Sequence, residues 1–203
     1  MKNKTAILAG FLAACATFSP ISGHAGTLIA TGDAVVPPSG FIRFCVKHSE
    51  DCLASGREHA VADLTATRRA QLDAVQARIN AAIAPREELG AGWRYATDGY
   101  GDCNTYALSK RRALIAMGWP EETLLLATAY TERDEGHLVL VARTNQGDLV
   151  LDNRLALVVD WAALPYRWIS MQSQKSPALW VQIVPRSLAK ASAKPILVVA
   201  AER

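Results

Sequence analysis

The stretch Gly136-His137-Leu138-Val139-Leu140-Val141-Ala142-Arg143-Thr144-Asn145-Gln146-Gly147-Asp148-Leu149-Val150-Leu151-Asp152-Asn153 holds two apolar runs separated by a polar turn. Each run has the length and the Val/Leu content of a strand, so the segment reads as a hairpin of antiparallel strands turning through Thr144 to Gly147. Further strand-like runs lie on both sides of it, Thr123 to Thr131 before and Arg167 to Gln172 and Leu179 to Val184 after. Upstream the period changes. From about Asp102 to Met117 the pattern is helical and stops at Gly118, with Pro120 shortly beyond. On that helix Cys103, Ala107, Leu114 and Met117 share one side and Arg112 lies opposite. Leu72, Val75, Ile79 and Ile83 recur at helical spacing between Thr65 and Ala84, ahead of Pro85. Helices followed by consecutive strands predict an α+β domain, its N-terminal helices packed on an antiparallel sheet.

The remaining segments are less regular. Gly26 to Phe44, with Pro37-Pro38 and Gly40, reads as an irregular or strand-containing arm leading into a polar loop between Cys45 and Cys52. Gly90, Gly92, Gly99 and Gly101 punctuate an aromatic loop whose Trp93, Tyr95 and Tyr100 either line a cleft or simply pack. The chain of 203 residues is 50% hydrophobic and 20% charged, a globular composition long enough for a real core. Its net charge of +3 is too small for a protein that must neutralise many phosphates, which argues against nucleic acid as a partner.

The first residues read as an export signal. Lys2 and Lys4 precede an apolar stretch from Ala6 to Ala16, and Gly23-His24-Ala25 has the small-x-small form of a cleavage site. The expected division is a signal peptide over 1–25, one domain over 26–185, and a C-terminal tail or extra strand over 186–203. A rival reading of Leu12-Ala13-Ala14-Cys15 is lipoprotein anchoring at Cys15. No run is long enough to span a membrane, so the expected location is periplasmic or secreted, as a monomer. Export leaves Cys45, Cys52 and Cys103 in an oxidising compartment. Cys45 and Cys52 flank one short loop and are the natural disulfide pair, which leaves Cys103 as the odd thiol, either reactive or a small buried apolar residue.

Three residues carry the chemistry. Cys103 opens a helix, where unpaired N–H groups and the dipole favour an anion. His137 opens an apolar strand and can serve as a base, although a histidine there is also a common structural residue. Asp152 ends the next strand. The odd separation of 137 and 152 puts both side chains on one face of the hairpin, directly opposite with a two-residue loop and diagonal with four. Asp152 followed by Asn153 is also an ordinary turn former. Zinc is disfavoured, because His48, His59 and His137 have no ligand spacing.

Gly101-Asp102-Cys103 opening a helix, Gly136-His137 opening a strand, Leu149-Val150-Leu151-Asp152-Asn153, Pro165-Tyr166-Arg167-Trp168 and the Cys45/Cys52 region together resemble the bacterial transglutaminase-like cysteine peptidases. The resemblance implies a papain-like or transglutaminase-like core and a catalytic triad of Cys103, His137 and Asp152. In it Asp152 accepts the Nδ1–H of His137, which leaves Nε2 toward Cys103, and the reaction is peptide-bond cleavage through a thioester. It also implies a protein or peptide substrate, since the best-known members release surface adhesins. Those adhesin-processing members bind calcium through acidic residues after the cysteine together with the aspartate before it. This chain keeps Asp102 but has Asn104 and Thr105, so no cofactor is expected to be required and calcium is the one metal in question. Acyl transfer to an amine and a non-catalytic binding module are the alternatives.

Overall fold

A computed structural model of the chain describes residues 26–54, 56, 61–87 and 92–185. The expected signal peptide over 1–25 with Cys15, the tail over 186–203, and His59 lie outside the described residues. The elements in chain order are β1 (Thr31–Val35), α1 (Ser39–Lys47), α2 (Ala66–Ala82), β2 (Ala84–Pro85), β3 (Tyr100–Gly101), α3 (Cys103–Ala116), β4 (Leu124–Tyr130), β5 (Gly136–Thr144), β6 (Gly147–Leu151), β7 (Val159–Asp160), β8 (Arg167–Ser173) and β9 (Ser176–Ile183). Seven strands form one sheet in the order β1-β9-β8-β4-β5-β6-β7, antiparallel at every pairing. The expected α+β class with an antiparallel sheet holds.

Alternation along the strands divides the interior into two layers. Leu124, Leu126, Leu138, Leu140, Leu149 and Leu151 join Leu72, Val75, Ile79, Ala107 and Leu114 in the cluster beneath the helices. Leu125, Ala127, Val139, Val141 and Val150 face the other way, against Trp161, Met171 and Ile29. The sheet is covered on both faces, which explains why its strands read as unbroken apolar runs.

The two long helices fall where the periodicity puts them. Thr65 caps α2 by accepting from Arg68 N, and Leu72, Val75 and Ile79 are buried, each contributing roughly 1.5–3 kcal/mol. Met117, expected on the inward side of α3, is 44% exposed, because it caps the helix past its last full turn. The arm before Cys45 contains a helix that periodicity did not reveal. Helix α1 is only nine residues long, too short for a clear repeat, and it is held by tertiary packing. Phe41 and Phe44 are buried, Phe41 meets Trp180 at 5.4 Å and Trp93 at 5.5 Å, and a Cβ on Gly40 would stand 2.6 Å from the Trp93 indole. Trp93 and Tyr95 therefore pack, with Tyr95 against Phe44 at 5.5 Å. Tyr100 is exposed beneath the Arg86 guanidinium.

The expected disulfide is present between Cys45, near the end of α1, and Cys52, at the end of a short 3-10 turn. The intervening residues are thus partly helical and not simply a loop. Replacing both cysteines by alanine is expected to cost about 2–3 kcal/mol on the chain-entropy account of so short a loop. Thermal denaturation of the variant beside the parent checks this. Cys103 is the free cysteine among the described residues, and no helix among them is long and apolar enough to cross a membrane.

Candidate active site

Cys103 is the first residue of α3, and Asp102 fixes that position. The Asp102 carboxylate caps the helix, its Oδ1 accepting from Asn104 N at 3.1 Å and Thr105 N at 3.2 Å. Gly101 is required just before it, because a Cβ there would fall on the Thr105 side chain. The thiol is half-buried against the helix-side core. Tyr106, on the same first turn, donates its hydroxyl to Ile83 O and so ties α3 to the end of α2.

His137 is the second residue of β5 and pairs across to Ala129 of β4. The β5–β6 turn is the two residues Asn145-Gln146, with Thr144 paired to Gly147 and Leu140 to Leu151. This register sets Asp152 level with Val139, so His137 and Asp152 share a face but are diagonal, not directly opposite as a two-residue loop was expected to make them. The turn closes one residue later than direct pairing requires. Asp152 lies just past β6, and a diagonal spacing is within reach of the long imidazole.

The ring and the carboxylate meet at 2.9 Å, through His137 Nε2 and Asp152 Oδ1. The expected nitrogen assignment is therefore reversed: Nε2 is engaged by the carboxylate, which leaves Nδ1 for Cys103. The imidazole is attached to the chain beside Nδ1, and it reaches Asp152 with its far nitrogen because the carboxylate lies a diagonal away. Burial alone would lower the His137 pKa. Hydrogen bonding to Asp152 and to Cys103, with the charges of both, overcomes this and raises it to about 9.

Asp152 is 0% exposed, and the structure satisfies it fully. Its Oδ2 accepts from Tyr166 OH at 2.6 Å and its Oδ1 also accepts from Arg154 N at 2.9 Å. Burial pushes its carboxyl up, but the bonds to His137, Arg154 N and Tyr166 hold it below the ordinary carboxylate range. The bond to Arg154 N is that of an Asx turn, so Asp152 is at once the turn former and the partner of His137. Its carbonyl oxygen accepts from Gln76 Nε2 at 2.7 Å and Asn80 Nδ2 at 3.4 Å, which anchors the segment to α2.

Sequence reasoning brought Cys103, His137 and Asp152 together but missed three supporting residues. Tyr166 also sets its ring edge-on to His137 at 5.8 Å, and burial followed by the bond to Asp152 raises its phenol pKa. No spacing rule reaches it, since β7 and a 3-10 turn intervene. Gln76 and Asn80 did leave a signal, as a polar pair four residues apart in the inward stripe of Leu72, Val75, Ile79 and Ile83.

The residues present do not fit a calcium site at Asp102. Asn104 Nδ2 donates to Oδ2 at 3.0 Å, and Thr105 Oγ1 joins the two backbone donors on Oδ1, so the carboxylate faces hydrogen-bond donors where a cation needs further oxygens.

Residues 31–187 match the family described as bacterial transglutaminase-like cysteine proteinase. No curated protein matches the chain. Among solved structures it is similar to Legionella pneumophila LapG in a calcium-bound form, at 23% identity over 59% of this chain and 72% of that one with a TM-score of 0.49. An EGTA-treated form of LapG from the same organism is 24% identical over 62% and 69%, with a TM-score of 0.49.

Proposed function

Because the chain belongs to the bacterial transglutaminase-like cysteine proteinases, we propose that it hydrolyses peptide bonds with Cys103 as nucleophile, His137 as general base and acid, and Asp152 as the group that orients the imidazole. The observation that carries this reading is the His137 Nε2 to Asp152 Oδ1 hydrogen bond, made by a ring that also interacts with the thiol of a helix-opening cysteine. His137 Nδ1 takes the thiol proton of Cys103. The Cys103 thiolate adds to the carbonyl carbon, and the oxyanion that forms is met by the Cys103 backbone N–H at the helix start. Collapse of this intermediate breaks the C–N bond as His137 Nδ1–H gives its proton to the departing amine. Water then attacks the thioester and passes a proton to Nδ1. The C–S bond breaks, the acid is released, and the thiolate–imidazolium pair is restored.

No step of this proposal draws on a cofactor, and Asp102 serves in it as the cap of α3. Export to the periplasm or exterior is part of the proposal. It rests on Lys2, Lys4 and the apolar run after them, with support from a disulfide suited to an oxidising compartment. The substrate class is a surface or secreted protein. Incubating surface-protein extract with the protein, beside a Cys103→Ala control, tests this: fragments that form only with the intact thiol are expected, and an unchanged extract argues against a surface substrate. Turnover of the protein that yields such fragments is expected to fall as pH rises through about 9, where His137 loses its proton. A pH profile with no alkaline limb contradicts the imidazolium as acid.

A further inference from the structure

The two carboxylate oxygens of Asp152 are held differently. Oδ1 accepts from His137 Nε2 at 2.9 Å and from Arg154 N at 2.9 Å, whereas Oδ2 accepts from the Tyr166 hydroxyl at 2.6 Å. Asp152 is 0% exposed, so an oxygen stripped of its donor there has no bulk water to take its place and the carboxylate turns toward the donors that remain. Ionisation does not depend on Tyr166, because His137 and Arg154 N already favour the charged form. The hydroxyl supplies direction: with Oδ2 fixed, Oδ1 is the oxygen presented to the imidazole. The same side chain also meets the imidazole itself, its ring lying 5.8 Å from that of His137 with the planes at 84°, a T-shaped contact that resists rotation of the smaller ring.

We propose that Tyr166 is a positioning residue: its hydroxyl holds Oδ2 of Asp152 and its ring holds the plane of His137, which together aim Nδ1 at Cys103. This rests on the function proposed above and deepens it. Tyr166 is itself anchored, between the 3-10 turn Trp161–Ala163 and β8, with its ring 5.8 Å from that of Trp168. The charged groups around it are Asp152 after β6, His137 of β5, and Arg154, whose guanidinium stands 6.0 Å from the phenol ring and pairs with Glu132 at 2.7 Å. Arg167, next in the chain, turns away to Asp134 at 2.6 Å and to the Tyr130 ring. Burial and the bond to Asp152 raise the Tyr166 phenol, so the hydroxyl keeps the proton it donates.

The test is the rate of Cys103 alkylation by iodoacetamide at pH 6 and pH 9, followed by mass spectrometry of its peptide in the full chain, with thermal denaturation of the same preparations. At pH 6 the thiolate depends on a well-placed imidazolium, whereas at pH 9 the thiol ionises without help. Tyr166→Phe keeps the ring against His137 and loses only the hydroxyl. Its rate at pH 6 is expected to fall about fivefold relative to the parent, with the rate at pH 9 unchanged. Tyr166→Met fills the space with neither hydroxyl nor ring and should lose at least as much, which covers the case of a Phe variant that does not fold. In an Asp152→Asn background Tyr166→Phe should add no further loss, as required of a hydroxyl acting through that carboxylate. A merely structural tyrosine gives variants with a lower melting temperature and the parent's ratio of the two rates. A loss confined to Tyr166→Met overturns the part assigned to the hydroxyl. If the parent retains acid-side reactivity and both variants match it, the positioning role is overturned while the nucleophile assignment stands. If the parent itself reacts like an isolated thiol, both are overturned.

Discussion

Cys103→Ala is expected to abolish turnover, with a loss on the order of 10⁴-fold or more, while the thermal midpoint stays within a few degrees of the parent. The side chain is small and half-buried. The cap that holds the start of α3 belongs to Asp102, so removing the sulfur deletes the nucleophile and leaves the helix start intact. His137 and Asp152 remain bonded to each other in the variant. Measuring turnover and thermal denaturation on the same preparation separates lost chemistry from lost fold, and a variant that retains full turnover removes Cys103 from the reaction.

Asp152 is expected to show the second largest effect, with two substitutions behaving differently. Asp152→Asn retains an oxygen for His137 Nε2–H or Arg154 N and loses the charge that stabilises the imidazolium. Turnover should fall by roughly 10²–10⁴-fold with a modest change in melting temperature. Asp152→Ala deprives three donors of their acceptor at once: the His137 ring, Tyr166 OH and Arg154 N. Because two of these are side chains in a site with no exposed carboxylate surface, a stability loss of about 2–4 kcal/mol accompanies the loss of turnover. The residue forms the turn and orients the ring together, so the alanine variant should lose both. Near-normal turnover in whatever fraction of Asp152→Ala stays folded contradicts the orienting role.

Much of this was legible in the chain because the strongest signals are local. The stripe of Leu72, Val75, Ile79 and Ile83, the Gly118 stop and the apolar runs at 124–130 and 136–144 specify their elements through periodicity and turn chemistry alone. The odd spacing of His137 and Asp152 fixed their common face, since strand side chains alternate whatever the loop length of even parity. What stayed hidden depends on tertiary context. Helix α1 is held by Phe41 and Phe44 against Trp93 and Trp180, residues distant in sequence. Strands β1 and β7 are short edges of the sheet, with little periodicity to read. The nitrogen of His137 that meets Asp152 follows from a diagonal register, which no spacing rule distinguishes from a direct one.

The central claim is that the Cys103 thiol and the His137 ring form a working pair, and the most direct test is the alkylation rate of Cys103 as a function of pH in the parent and in His137→Ala. The parent is expected to be alkylated at pH 6 nearly as fast as at pH 8, whereas in His137→Ala the rate should drop about tenfold per pH unit below pH 8, as for an isolated thiol. Superimposable profiles, with the parent losing reactivity at the same tenfold rate, contradict the pair and the peptidase mechanism built on it.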